Sequence, residues 1–259
     1  MTLRLLLPPS VGEARARARA ELLDQSLRAD LAEPVSVEVA RDYGDLATRA
    51  SLGEAHIVWL PPTLCAQLES TLRGLFKCIR QGRATYRSAI VARRGSVMSL
   101  GDLRQRRAAW VDPLSVGGHL LAVAALREAG VPQTELSEQR FVGSYPEALN
   151  ALLAGEVEFT ALTVRDDSTA AVRDSLATYG GRGAAEQLAS VYVTAESPND
   201  AIGLTRALDD KRAERLSTRV LERDGSRARA ALCLALDAEG FLRARPGEYG
   251  ALREMIQDR

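Results

Sequence analysis

The chain has 259 residues, 46% of them hydrophobic and 26% charged, with 34 Lys+Arg set against 34 Asp+Glu. That length holds one large domain or two lobes with a core each, and a zero formal net charge argues against a nucleic-acid partner, which normally meets a basic surplus. Three cysteines, Cys65, Cys78 and Cys233, in apolar surroundings and without metal-ligand spacing argue against a fully paired disulfide framework and predict buried free thiols, no metal and no cofactor.

Leu3–Leu7 is an apolar run stopped at once by Pro8-Pro9-Ser10. It reads as a first strand, not as the longer apolar core of a secretory leader. The sequence as it stands is therefore expected to be cytoplasmic, and periplasmic only if a leader has been removed. It holds no apolar stretch of about 20 residues to cross a membrane. Ser10 can cap a helix from about Val11 to Ala32, with Arg15, Arg17 and Arg19 on a solvated face. Val35–Val39 alternates as a strand, Tyr43–Ser51 is a helix, Ala55–Leu60 a short apolar strand and Thr63–Leu72 a helix with proline at its entrance. Strand–helix alternation of this kind predicts a parallel sheet with helices on its faces.

Two consecutive strands follow, near Leu75–Arg80 and Thr85–Arg93, where the chain is expected to leave one lobe for another. A second alternating series comes next: a short helix at Ser99–Arg104, a strand at Ala108–Val111, a helix at Ser115–Gly130, a strand at Arg140–Val142, a helix at Tyr145–Ala154 and a strand at Val157–Leu162. Residues 163–187 look irregular, and Gly180-Gly181-Arg182-Gly183 reads as a flexible connection because it lacks the third glycine of a dinucleotide loop. Leu188–Thr194 is a strand and Ala201–Thr205 a strand or turn. Helices over about 206–223 and 226–236, and a last one near Glu248–Gln257, close the chain.

Catalytic machinery is not visible. His56 and His119 are the only histidines, and His56 reads as structural; no His–Glu–x–x–His or Cys–x–x–Cys pattern occurs. Adjacent carboxylates at Asp166-Asp167 and Asp209-Asp210 do not face a common site. The informative segment is Asp112-Pro113-Leu114-Ser115-Val116-Gly117-Gly118-His119. It follows a strand and opens a helix, where unpartnered N–H groups and the helix dipole welcome an anion. The Ser115 hydroxyl can bond a ligand oxygen or cap its own helix, and both readings stand.

Tyr86-Arg87-Ser88-Ala89-Ile90-Val91 resembles the aromatic–x–Ser strand that starts the second lobe of phosphate-, phosphite- and phosphonate-binding components of ABC importers, the PhnD-like group. Asp102-Leu103-Arg104, Ala108-Ala109-Trp110, the Asp112–Gly118 segment, Gly143-Ser144-Tyr145, Gly155-Glu156-Val157-Glu158, Ser197-Pro198-Asn199-Asp200 and the tail Gly240-Phe241, Tyr249, Leu252-Arg253 follow in the family's order, from about residue 55 to the C-terminus. The resemblance implies an α/β fold of two lobes, a type II periplasmic-binding-protein clamshell, each lobe a mixed, mostly parallel sheet flanked by helices. It implies residues 1–83 with 190–259 in the first lobe and 84–189 in the second, with the ligand cleft between them and closure by a hinge.

The same resemblance implies a ligand-facing set: Trp59 and Pro61 from the first lobe; Tyr86 as aromatic wall, with Ser88; Ser115 and the backbone of Val116, Gly117 and Gly118 around oxyanion oxygens; Tyr145 where the family has histidine; and Asn199 with Asp200, the carboxylate that meets a polar or cationic end. The pocket departs from the family. Leu60 stands for a tyrosine, Val116 and Gly117 replace two hydroxyl residues, and Arg165 stands for a second carboxylate. Arg165 would favour a carboxylate or phosphate if it faced the cleft; a solvated surface arginine is the other reading. The expected function is thus non-catalytic binding of a small anion, phosphonate- or phosphate-like or a carboxylate, by a solute-binding protein or intracellular sensor domain. Its expected protein partner is an ABC permease or a signalling protein. An enzyme on the same fold, of menaquinone- or pyrimidine-synthesis type, and a ligand-free scaffold for protein contacts are the alternatives.

Overall fold

In the computed structural model, residues 2–8, 13–31, 33–222 and 225–257 are described. The chain folds into two compact units. The first takes Met1–Ala84 and Pro198–Glu254, and the second is built on Thr85–Ser197. The return to the first unit thus falls at Ser197–Pro198, later than the expected 189–190 boundary, because the strand at Leu188–Val193 pairs with Thr85–Arg93 inside the second unit.

The first unit opens with β1 (Leu3–Leu7), α1 (Glu13–Leu31), β2 (Val35–Val39), α2 (Tyr43–Ser51), β3 (Ile57–Leu60), α3 (Pro62–Leu68) and β4 (Leu72–Ile79). The second contains β5 (Thr85–Arg93), β6 (Arg107–Trp110), α4 (Leu121–Glu128), β7 (Glu138–Phe141), α5 (Tyr145–Leu153), β8 (Phe159–Val164), α6 (Thr169–Gly180), α7 (Arg182–Gln187) and β9 (Leu188–Val193). The two-residue β10 (Ser197–Pro198) leads back to β11 (Ala201–Thr205), α8 (Asp210–Leu216), α9 (Arg227–Leu236), β12 (Gly240–Arg243) and α10 (Gly250–Gln257).

The first sheet has six strands in the order β12-β4-β11-β3-β1-β2. Its centre is buried on both faces. β3 and β11 have no exposed position, which is why Ile57-Val58-Trp59-Leu60 and Ala201-Ile202-Gly203-Leu204 read as continuous apolar runs. The second sheet runs β10-β5-β8-β6-β7, with β9 also on β5. Pairing is parallel in β1–β2, β1–β3, β6–β7 and β6–β8. It is antiparallel in β3–β11, β4–β11, β4–β12, β5–β8 and β5–β9. Both sheets are therefore mixed, and the mostly parallel expectation holds only for their β–α–β portions.

Several expectations are corrected. Residues 163–187 hold two helices. Ser168 caps α6 by accepting the Ala171 N–H, and Gly181, at φ 76°, turns the chain from α6 into α7. The double glycine is thus a packed helix junction: a Cβ on Gly180 would lie 2.7 Å from the Ala184 Cβ. Gly240–Arg243 is an edge strand on β4, not a tail. Thr63–Leu72 shortens to α3, and β4 begins at Leu72. The Ser10 cap and the side chains of Arg15 and Arg17 lie outside the described residues. Arg19 leaves its expected solvated face, and its guanidinium lies 5.5 Å from the Trp59 ring centroid. Asp209 caps α8, and Asp210 pairs with Arg73, so these carboxylates have structural roles. His56 is buried and its Nδ1 accepts the Arg4 N–H at 3.0 Å. Cys65 and Cys78 are buried free thiols, and Cys233 is partly exposed.

Candidate functional site

In the second unit, β6 ends at Trp110 and the chain turns through Asp112-Pro113-Leu114. The Asp112 carboxylate accepts the Leu114 N–H at 2.7 Å. Ser115 then opens a π-helical turn, Val116–Leu120, which leads into α4 where an α-helical start was expected. The wider turn is closed by the Leu120 N–H on the Ser115 carbonyl at 3.0 Å. Such turns are rare and are found frequently at functional sites.

Both glycines are required by close approach. A Cβ on Gly117 would sit 2.3 Å from Thr163 Cγ2, 3.0 Å from the Tyr145 hydroxyl and 3.1 Å from Tyr86 Cε2. One on Gly118 would sit 2.5 Å from Val111 Cγ2. The buried Ser88 hydroxyl donates to the Gly117 carbonyl at 2.6 Å. The turn is therefore pinned to β5 and crowded by Tyr86, Tyr145 and Thr163. Tyr145 stacks on Tyr179, with ring centroids 4.7 Å apart, and the Tyr179 and Thr163 hydroxyls are 3.1 Å apart.

Tyr86, Ser88, Ser115, Val116, Gly117, Gly118 and Tyr145 meet at one turn, in different roles. Ser88, 0% exposed, supports the turn from within. The Ser115 hydroxyl accepts the Gly118 N–H at 3.1 Å, which is the capping reading. The N–H groups of Val116 and Gly117, in the first turn, have no intrahelical acceptor. Arg165 lies beyond the end of β8 and bonds Asp166 at 2.9 Å. Hydrogen bonds from Ser168 and then from Arg165 hold the Asp166 carboxyl well below the usual carboxylate range.

Sequence reading missed Thr163 and Tyr179. Thr163 follows the strand expected to end at Leu162, and Tyr179 sits on a helix that the Ala-rich stretch concealed.

Trp59, Pro61, Asn199 and Asp200 lie in the first unit. Pro61 enters α3, its carbonyl accepting the Cys65 N–H at 2.9 Å. Trp59, 7% exposed, donates its indole N–H to Asp200 at 2.5 Å. Arg80 holds the same carboxylate with two bonds, of 2.5 and 3.0 Å. Burial opposes ionisation of Asp200, but the Arg80 charge, the Arg80 bonds and the indole outweigh it and keep the carboxyl below its ordinary range. The buried Asn199 amide donates to the Cys78 carbonyl at 2.7 Å and to the Arg83 carbonyl at 3.2 Å, joining the end of β4 to the β10–β11 link. Among the described residues, no group of three or more His, Cys, Asp or Glu is placed to hold a metal ion, and no helix is long and apolar enough to cross a membrane.

A family profile described as ABC transporter, phosphonate, periplasmic substrate-binding protein matches residues 5–249. A comparison with curated proteins gives no significant match. Among solved structures, XAC2383 from Xanthomonas citri bound to ATP is similar, with TM-score 0.80 and 19% identity over 99% of this chain and 97% of that one. PhnD1 from Prochlorococcus marinus (MIT 9301) in complex with methylphosphonate is also similar, with TM-score 0.76 and 17% identity over 99% and 97%. So is PA3383, a binding protein component of an ABC phosphonate transporter from Pseudomonas aeruginosa, with TM-score 0.74 and 14% identity over 98% and 85%. These likenesses establish the two-lobed α/β fold.

Proposed function

The chain belongs to the periplasmic substrate-binding protein family of phosphonate ABC transporters, and from that premise we propose that it binds a phosphonate- or phosphate-like oxyanion at the Val116–Gly117 turn. Non-catalytic binding of a small solute, for delivery to an ABC permease, is the work of this family. The observation that carries the finer reading is the pair of first-turn N–H groups at Val116 and Gly117. They open the helix beside Tyr86 and Tyr145, whose hydroxyls can donate to oxygen. Amides and dipole at a helix start favour negative charge without any basic side chain.

The methylphosphonate held by PhnD1 is an oxyanion of this class.

A thermal-shift panel of phosphate, phosphite, methylphosphonate, 2-aminoethylphosphonate, methanesulfonate, acetate and ATP tests this. A solute at 100 times its Kd raises stability by about 2.7 kcal/mol. Stabilisation by a phosphorus oxyanion is expected, and stabilisation by none of the panel at millimolar concentration overturns the reading. That outcome would favour a ligand-free scaffold, a reading supported by Ser115, Asp200 and Arg165 all being satisfied within the chain.

A further inference from the structure

His119 is the fourth residue of the π-helical turn, 5% exposed, and lies between Trp110 and Phe141 with ring centroids at 5.3 and 5.0 Å. Its Nδ1 is 3.0 Å from the Pro113 carbonyl, and its Nε2 is 2.9 Å from the Gln133 side-chain nitrogen. Gln133 Nε2 also donates to Gln139 Oε1 at 3.0 Å, and that same oxygen accepts the Trp110 indole N–H at 3.0 Å. Gln139 Nε2 returns a bond to the Gln133 carbonyl at 3.1 Å.

The two ends of this chain decide every proton in it. An indole N–H can only donate, so Gln139 must turn its oxygen to Trp110. That oxygen calls for a donor from Gln133, which places the Gln133 nitrogen, and so a second N–H, toward His119. His119 Nε2 must then accept. At the other end a proline carbonyl can only accept, so Nδ1 must carry the hydrogen. Neither amide can flip without setting donor against donor or acceptor against acceptor.

We propose that His119 is a positioning residue for the binding turn: locked as the neutral Nδ1–H tautomer by Trp110, Gln139 and Gln133, it anchors the Pro113 carbonyl and so fixes the entry of the chain into Ser115–Gly118. The proposal rests on the oxyanion reading only for what the turn is held ready to do. The lock itself is a property of the ligand-free protein.

Nitrogen-15 NMR of histidine-labelled protein tests the lock directly, with amide exchange at Gly118 and Leu120, whose N–H groups are bonded to Ser115, in ligand-free protein as the second readout. Wild type is expected to show the Nδ1–H tautomer. Gln133→Glu sets a carboxylate against Nε2 and is expected to give an imidazolium carrying hydrogen on both nitrogens. His119→Asn, which can keep a donor near the Nδ1 position, should leave exchange within about threefold of wild type, whereas His119→Leu, losing the bond to the Pro113 carbonyl along with the one from Gln133, should speed it about tenfold. Methylphosphonate affinity should follow the same order. An Nε2–H tautomer in wild type, or Asn and Leu variants that exchange alike, overturns the proposal. Failure of methylphosphonate to bind wild type overturns the oxyanion reading, while the tautomer and exchange results still decide the role of His119.

Discussion

The Ser88 hydroxyl donates to the carbonyl of Gly117 across 2.6 Å, from a fully buried position on β5 to the turn that opens α4. Ser88→Ala leaves that carbonyl without its donor in a buried setting, which costs about 1–3 kcal/mol. The variant is expected to unfold at lower urea concentration with an unchanged dependence on urea, and to bind a phosphorus oxyanion more weakly. Equal urea midpoints for the two proteins would show that the bond does not hold the turn.

Gly117 has no room for a side chain. Gly117→Ala drives a methyl group into Thr163 Cγ2, 2.3 Å away, and overpacking of this kind costs about 1–3 kcal/mol. Thr163→Ser removes the struck methyl. The double variant is therefore expected to recover part of the melting temperature lost in Gly117→Ala. Additive losses in the double-mutant cycle would place the strain elsewhere.

The Asp200–Arg80 pair should appear in the pH dependence of folding. Side-chain exposures of 18% and 31% place it between a surface pair and a buried one. Asp200→Asn should therefore cost about 2–3 kcal/mol at neutral pH, under the figure for a fully buried pair. The carboxyl is held below its unfolded value near 3.9, so its contribution is complete above that value and is lost as pH falls through the folded one. Urea titrations at pH 7, 5, 4 and 3 should show the gap between wild type and Asp200→Asn closing only below about pH 4. A gap that is constant over that range would mean that the charge is not what stabilises.

Much of the architecture was legible because the physics is local. Leu3–Leu7 and Ala55–Leu60 announce buried strands by composition, and two successive strands near 75–93 mark the passage from one unit to the other. Ser115–Gly118 stood out because a serine and two glycines follow a strand. What escaped is set by packing or by distant partners. α6 and α7 are Ala-rich, with no sharp apolar stripe, so Tyr179 seemed to lie in irregular chain. β12 is an edge strand of four residues, too short to alternate clearly. The partners of Asp200 come from 120 and 141 positions away, and no motif reports that Arg80 has claimed the carboxylate. The Ser88 hydroxyl likewise looked like a ligand contact until burial and the Gly117 carbonyl gave it another task.

Amide-resolved NMR during a methylphosphonate titration tests most directly whether the helix start at Val116–Gly117 holds an oxyanion. Binding there predicts the largest chemical-shift changes at the Val116 and Gly117 amides, saturating together with one Kd. Unmoved signals at those two amides, while the added methylphosphonate stabilises the protein or shifts resonances elsewhere, would contradict it.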